Sequence, residues 1–118
     1  MVSDATKQTE ATLAHHIEAM NSGDIDAILS DYIEESILFT PNGPARGLQQ
    51  IRSVFEAILG SPPEMLNALE IVRQSVEGEV AYLLLKAEPF APLATDTFIV
   101  RNGKIIAHTF AAYMPSSA

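Results

Sequence analysis

Two side chains in the C-terminal third of the chain carry the clearest chemical signal. Asp96 and His108 fall on consecutive strand-like segments, Thr95 to Val100 and Ile105 to Tyr113, that turn at Asn102-Gly103. A carboxylate beside an imidazole can orient the ring and move a proton near neutral pH. Strand alternation puts Asp96 on the side of Phe98, and a carboxylate on an apolar face has to be paired or neutralised. In a wet site Asp96 stays charged and makes His108 an oriented base. In a dry one a neutral Asp96 can donate to a ligand oxygen. His16 is a further candidate, as a ligand donor or a packing histidine, and Tyr32 offers a hydroxyl. No His-Glu-x-x-His string, Gly-rich phosphate loop or serine elbow is present. No metal and no cofactor is expected.

Whether Asp96 and His108 meet depends on the hairpin register. A two-residue turn at Asn102-Gly103 would pair Arg101 with Lys104; a three-residue loop, with Gly103 left-handed, would pair Val100 with Lys104. The second choice gathers Phe98, Val100, Ile106 and Phe110 on one face and leaves Thr97, Ile99, Thr109, Ala111 and Tyr113 on the other. It is the expected register, and it sets Asp96 directly opposite His108.

The elements that must hold this hairpin follow from apolar spacing. Leu13, Ile17 and Met20 recur at helical intervals over Gln8 to Asn21, with His16 on their face, His15 and Glu18 away from it, and Met1 to Lys7 frayed. Asp24 caps a second, shorter helix, after a stop at Gly23. "SILFT" reads as a strand ending at Pro41-Asn42-Gly43-Pro44. Ile51, Phe55, Ile58 and Leu59 mark a third helix over Leu48 to Leu59. Beyond Pro63 everything reads as strand: Met65 to Val76, Val80 to Glu88, then the hairpin. Lys86 and Glu88 alternate with Leu85 and Ala87, and by hydrophobicity point outward. Helices first and an antiparallel meander after make an α+β pattern.

The 118 residues suit one domain, 1–118, and with 47% hydrophobic against 19% charged residues they can bury a core. A formal charge of −8 with seven Lys and Arg supplies no basic stripe, so nucleic acid and anionic membranes are not expected partners. Cysteine is absent, the N-terminal stretch lacks a signal-peptide pattern, and no apolar run reaches the ~20 residues that span a bilayer. The expectation is a cytoplasmic domain.

The order and spacing of several strings then resemble a known group. "EAMNSGDIDAILSDYIEESILF", "GLQQIRSVFEAIL" and "DTFIVRNGKIIAHTF" are similar to the opening helices, third helix and closing hairpin of nuclear transport factor 2-like proteins. The closing hairpin is nearest to the ketosteroid isomerase and SnoaL-like cyclase branches. The resemblance runs from His15 to Tyr113. It implies a cone-shaped curved antiparallel sheet wrapped by three N-terminal helices around a pocket. Against the isomerase pattern, the oxyanion-binding Asp falls on Asp96, the donor Tyr on His16 and the base on Thr40. The cyclase His-Trp-Asp string reads here His108-Thr109-Phe110.

The resemblance implies an isomerase or cyclase type of proton transfer, while the replaced bases Thr40 and Phe110 argue against authentic ketosteroid isomerisation and for the alternative, a non-catalytic binding or dimerisation module. An epoxide hydrolase-like network would need Arg73. The expected catalytic pair is Asp96 and His108, with His16, Thr40, Phe55, Phe98, Phe110 and Tyr32 against an apolar small-molecule ligand. The strip Thr97, Ile99, Thr109, Ala111 and Tyr113 on the outer face is expected to make a homodimer.

Overall fold

A computed structural model describes residues 2–115. Helix α1 (Asp4–Ser22) begins four residues before the expected start at Gln8, because Ser3 caps it: its Oγ accepts the Thr6 amide at 3.1 Å. Gly23, at φ 70°, ends it in the left-handed conformation that glycine adopts without a Cβ penalty. Asp24 caps α2 (Ile25–Leu29), its side chain accepting the Ala27 amide. Strands β1 (Tyr32–Thr40) and β2 (Gly43–Arg46) form a hairpin, so the Pro41–Pro44 cluster is a tight turn followed by a short edge strand. Helix α3 (Gly47–Leu59) comes next.

The segment after Pro63 departs from the all-strand expectation. Pro63 stands at the first position of a short helix, α4 (Pro63–Asn67), where a missing amide costs nothing and the ring's φ already suits a helix. The apolar run around Met65 and Leu66 is thus helical at its start, and β3 (Glu70–Glu77) begins only after Leu69. Strands β4 (Val80–Ala87), β5 (Ala91–Arg101) and β6 (Lys104–Tyr113) complete the meander.

The strands join in one open sheet of order β2-β1-β6-β5-β4-β3. Four pairs are antiparallel, as expected, but β1 runs parallel to β6, so the sheet is mixed rather than purely antiparallel. Register shifts interrupt β1/β6, β3/β4, β4/β5 and β5/β6, and irregularities of this kind bend strands. The result is a curved, unclosed sheet with the helices on its concave side. Leu13, Ile28, Leu38, Ile51, Phe55, Phe98, Val100 and Ile105 are the large buried side chains between the two layers.

The hairpin register differs from the expected one in an instructive way. Asn102 at φ 53° and Gly103 at φ 74° both take the left-handed conformation, so the connection is the two-residue turn, pairing Arg101 with Lys104. An extra residue then enters β6: Val100 pairs with Ile105, but Ile99 pairs with Ala107, leaving Ile106 as the bulge. Ile105, not Ile106, consequently points into the core. Beyond the bulge Phe98 faces His108 and Asp96 faces Phe110. Asp96 and His108 are therefore diagonal neighbours, not direct partners. The displacement from the expected register amounts to two residues, and side chains alternate with period two, so every face assignment beyond the bulge is unchanged.

Candidate functional site

Sheet and helices enclose a cavity of about 530 Å³. Its walls are mostly apolar: Leu38 from β1, Val54, Phe55 and Ile58 from α3, Leu83 and Leu85 from β4, Phe98 and Phe110 from the hairpin. Helix α4 contributes Met65 and Leu66 along one side. Asp96 is the one charged side chain in the lining; no Lys or Arg among the described residues reaches it. Lys86 lies on the other face of β4, 3.8 Å from Glu70.

Asp96 and His108 are buried and joined. The diagonal spacing is within reach of an imidazole, and His108 Nε2 lies 2.6 Å from Asp96 Oδ1. On its other side His108 Nδ1 lies 2.8 Å from the hydroxyl of Tyr32, at the start of β1. Tyr32 is 4% exposed and its hydroxyl has no other partner among the described residues, so its O–H donates to Nδ1. That assigns the roles of the ring nitrogens: Nδ1 accepts from Tyr32 and Nε2–H donates to Asp96 Oδ1. Burial pushes the Tyr32 phenol well above its ordinary pKa, with the charges of Asp96 and Asp31 adding to the effect, which keeps the donor protonated.

This chain leaves one atom free. Asp96 Oδ2 has no protein partner among the described residues, and the carboxyl group lines the cavity. A proton can be held or released at Oδ2 while both hydrogen bonds behind it stay as they are. Phe98 packs on the His108 ring with centroids 4.1 Å apart, which together with Tyr32 immobilises the imidazole.

His16 reaches the same cavity from α1. Its ring sits edge-on to Tyr32, Phe55, Phe98 and His108, with centroids 5.3 to 6.0 Å apart, and its Nδ1 is buried without a partner. Burial lowers its pKa to about 3. His16 is therefore a neutral hydrogen-bonding group near neutral pH.

The expected site residues are distributed as follows. Asp96, His108, His16, Thr40, Phe55, Phe98 and Phe110 all line the cavity. Tyr32 does not; it holds His108 from behind, a link between residues 76 positions apart that local sequence carries no signal for. Thr40 spends its hydroxyl within its own turn, donating to Gly43 O at 2.9 Å and accepting the Asn42 amide at 3.1 Å. Arg73 is exposed on β3 and away from the cavity, which leaves an epoxide hydrolase-like network without its arginine. Outside the cavity, His15 contacts Asp31 through Nδ1 at 2.8 and 2.9 Å. That hydrogen bond raises the His15 pKa, while burial raises that of Asp31 in spite of it. Among the described residues no three His, Asp or Glu side chains converge as a metal cage, and no helix is long and apolar enough to cross a membrane.

Fold and site together define a small α+β domain whose bent sheet and helices enclose a single-carboxylate pocket. Residues 13–108 match the SnoaL-like domain family, and the chain belongs to it. Among solved structures, it is similar to a nuclear transport factor 2-like protein of unknown function from Burkholderia xenovorans, at 22% identity and TM-score 0.75, covering 95% of this chain and 88% of that one. A second nuclear transport factor 2-like protein of unknown function, from Mesorhizobium loti, superposes with TM-score 0.79 at 16% identity, over 96% and 97% of the two chains. A Sinorhizobium meliloti protein described as a candidate polyketide cyclase matches at 17% identity and TM-score 0.69, over 86% of this chain and 94% of that one. At these identities the likeness is one of fold. No curated protein matches the sequence.

Proposed function

We propose that this chain binds a largely apolar, ring-bearing small molecule in the cavity and moves a proton on it, as an isomerase or cyclase does. The observation that carries the reading is the chain Tyr32–His108–Asp96, which ends at a free carboxyl oxygen inside an apolar cavity. Asp96 Oδ2 is the acid/base. His108 positions Asp96 by donating to its other oxygen, and Tyr32 positions His108. His16 offers a neutral ring nitrogen to a carbonyl or hydroxyl oxygen of the ligand. The likeness in fold to the Sinorhizobium protein is in keeping with a cyclase. Authentic ketosteroid isomerisation is not proposed, since Thr40 stands at the base position and cannot shuttle a proton at neutral pH.

The test is exchange at carbon. A panel of cyclic ketones is incubated with the protein in D₂O, and loss of the α-proton signals is followed by NMR. Wild type is expected to accelerate exchange, and Asp96→Asn to reduce it by at least ~100-fold. Ketones that bind without exchanging would overturn the catalytic reading in favour of a binding module. One observation favours that second reading: Phe110, directly opposite Asp96, supplies no second proton-carrying group.

We propose further that two copies associate through the outer sheet face. Thr109, Ala111 and Tyr113 are exposed there, and Tyr113 pairs in register with Leu93; these two are 61% and 51% exposed.

A further inference from the structure

We infer that the cavity selects hydrophobic amines in their protonated form over neutral and anionic molecules of the same shape. The inference shares with the proposed function the premise that Asp96 meets the ligand, but it requires no catalysis. Its first support is charge. Asp96 is the only charged group lining about 530 Å³ of otherwise apolar cavity, and no cationic side chain among the described residues enters to neutralise it.

Hydrogen bonding is the second support. With Tyr32 donating to His108 Nδ1 and His108 Nε2–H donating to Asp96 Oδ1, both ring nitrogens are engaged and neither reaches the second carboxyl oxygen. Oδ2 remains, 7% exposed as a residue and unpaired, and an ammonium brings to it both a donor and the missing positive charge. If Asp96 is charged before binding, the pair forms directly. If it holds a proton, a free amine takes that proton and the same ion pair results.

The neighbouring side chains do not oppose a cation. His16, with its pKa lowered to about 3, stays uncharged, and Phe110, directly opposite Asp96 and lining the cavity, brings an aromatic ring that attracts an alkylammonium rather than repelling it. The chain's net charge of −8 draws cations toward it and repels carboxylates. The expected ligand class is therefore a lipophilic ring system bearing one basic nitrogen, with its hydrocarbon body along Leu83, Leu85 and Phe55.

Isothermal titration at pH 7 with 2-naphthylmethylamine, 2-naphthylmethanol and 2-naphthoate tests this. These probes share one ring frame and differ in charge. The amine is expected to bind at least ~10-fold more tightly than the alcohol, and the naphthoate at least ~10-fold more weakly than the alcohol, as one charge-assisted hydrogen bond gained or one repulsion incurred requires. In Asp96→Asn, which keeps the shape of the side chain, the amine should fall to within about threefold of the alcohol. Should that variant fail to fold, NMR of wild type decides: the amine must shift the His108 ring signals more than the alcohol does. Equal or weaker binding of the amine, no binding of any probe, or an amine preference that survives Asp96→Asn would overturn the inference. Loss of ketone exchange with the amine preference intact would instead sink only the catalytic reading.

Discussion

Replacing Tyr32 by Phe removes one oxygen and nothing else, and the structure dictates its cost. Among the described residues the hydroxyl is the only partner of His108 Nδ1, and both residues are almost wholly buried, at 4% and 3% exposure. A buried acceptor stripped of its donor costs about 1–3 kcal/mol. For 118 residues at roughly 2.1 cal/mol/K each, the unfolding entropy near the midpoint is about 0.25 kcal/mol/K, so the melting temperature should fall by about 4–12 °C. Differential scanning calorimetry of wild type and Tyr32→Phe at pH 7 measures this directly. The imidazole ¹⁵N shifts supply a second readout: the Nε2–H tautomer should persist, because Asp96 still accepts from it. A melting temperature within 1 °C of wild type, or a switch of tautomer, would refute the assigned direction of the hydrogen bonds.

Other outcomes follow from neighbouring features. His16 folds with a pKa of about 3 against an unfolded value near 6.5, so the unfolded chain binds the extra proton first. Its contribution is fully present above pH 6.5 and shrinks as pH falls toward 3, by about 2 kcal/mol between pH 7 and pH 5. His16→Phe should lose that part of the pH dependence in urea unfolding at the two pH values. His15 has the opposite sign. Its pairing with Asp31 raises its folded pKa, so the stabilisation is present below pH 6.5 and is lost as pH rises through the raised value. The stability gap between wild type and His15→Gln should accordingly be wider at pH 6 than at pH 9. Gly47→Ala should cost at least about 1 kcal/mol, measured by urea unfolding. Gly47 sits at φ 80°, and an added Cβ would stand 2.5 Å from Glu34 Oε1 and 3.3 Å from the Glu34 carbonyl oxygen. Light scattering at micromolar concentration should give twice the 12.8 kDa chain mass, and Tyr113→Lys should halve it.

Much of this architecture was legible because local rules agreed with the tertiary solution. Ser and Asp at helix starts, Gly23 at a helix end and the Asn102-Gly103 turn all act over a few residues, and period-two alternation assigned the two faces of β5 and β6. The failures have one physical character. Pro63 initiates a helix inside a run whose composition reads as strand, and that helix sets Met65 and Leu66 on one flank of the pocket. The bulge at Ile106 carries no residue signature; it arises where β6 must also fit beside β1, with the Ile105 amide donating to Asp31 O at 2.7 Å. The pair Asp96 and His108 was found by face and survived a register displacement of even number. The Tyr32 link, which assigns the imidazole tautomer, depends on a strand pairing between opposite ends of the chain.

That pairing has a consequence for how the molecule comes into being. β1 aligns alongside β6, Leu38 beside His108 and Phe39 beside Thr109, so the sheet's interior seam joins segments some 70 residues apart in synthesis. A nascent chain can form its helices and the β1–β2 hairpin early, but β1 has only one hydrogen-bonding neighbour until β6 leaves the ribosome. Contacts this distant in sequence carry a loop-closure cost and slow the search for the native state. Tyr32 and His108 lie on the two sides of the seam. The hydrogen-bonded chain Tyr32–His108–Asp96 is thus complete only once β6 lies beside β1, and a polypeptide arrested before β6 would lack its central imidazole.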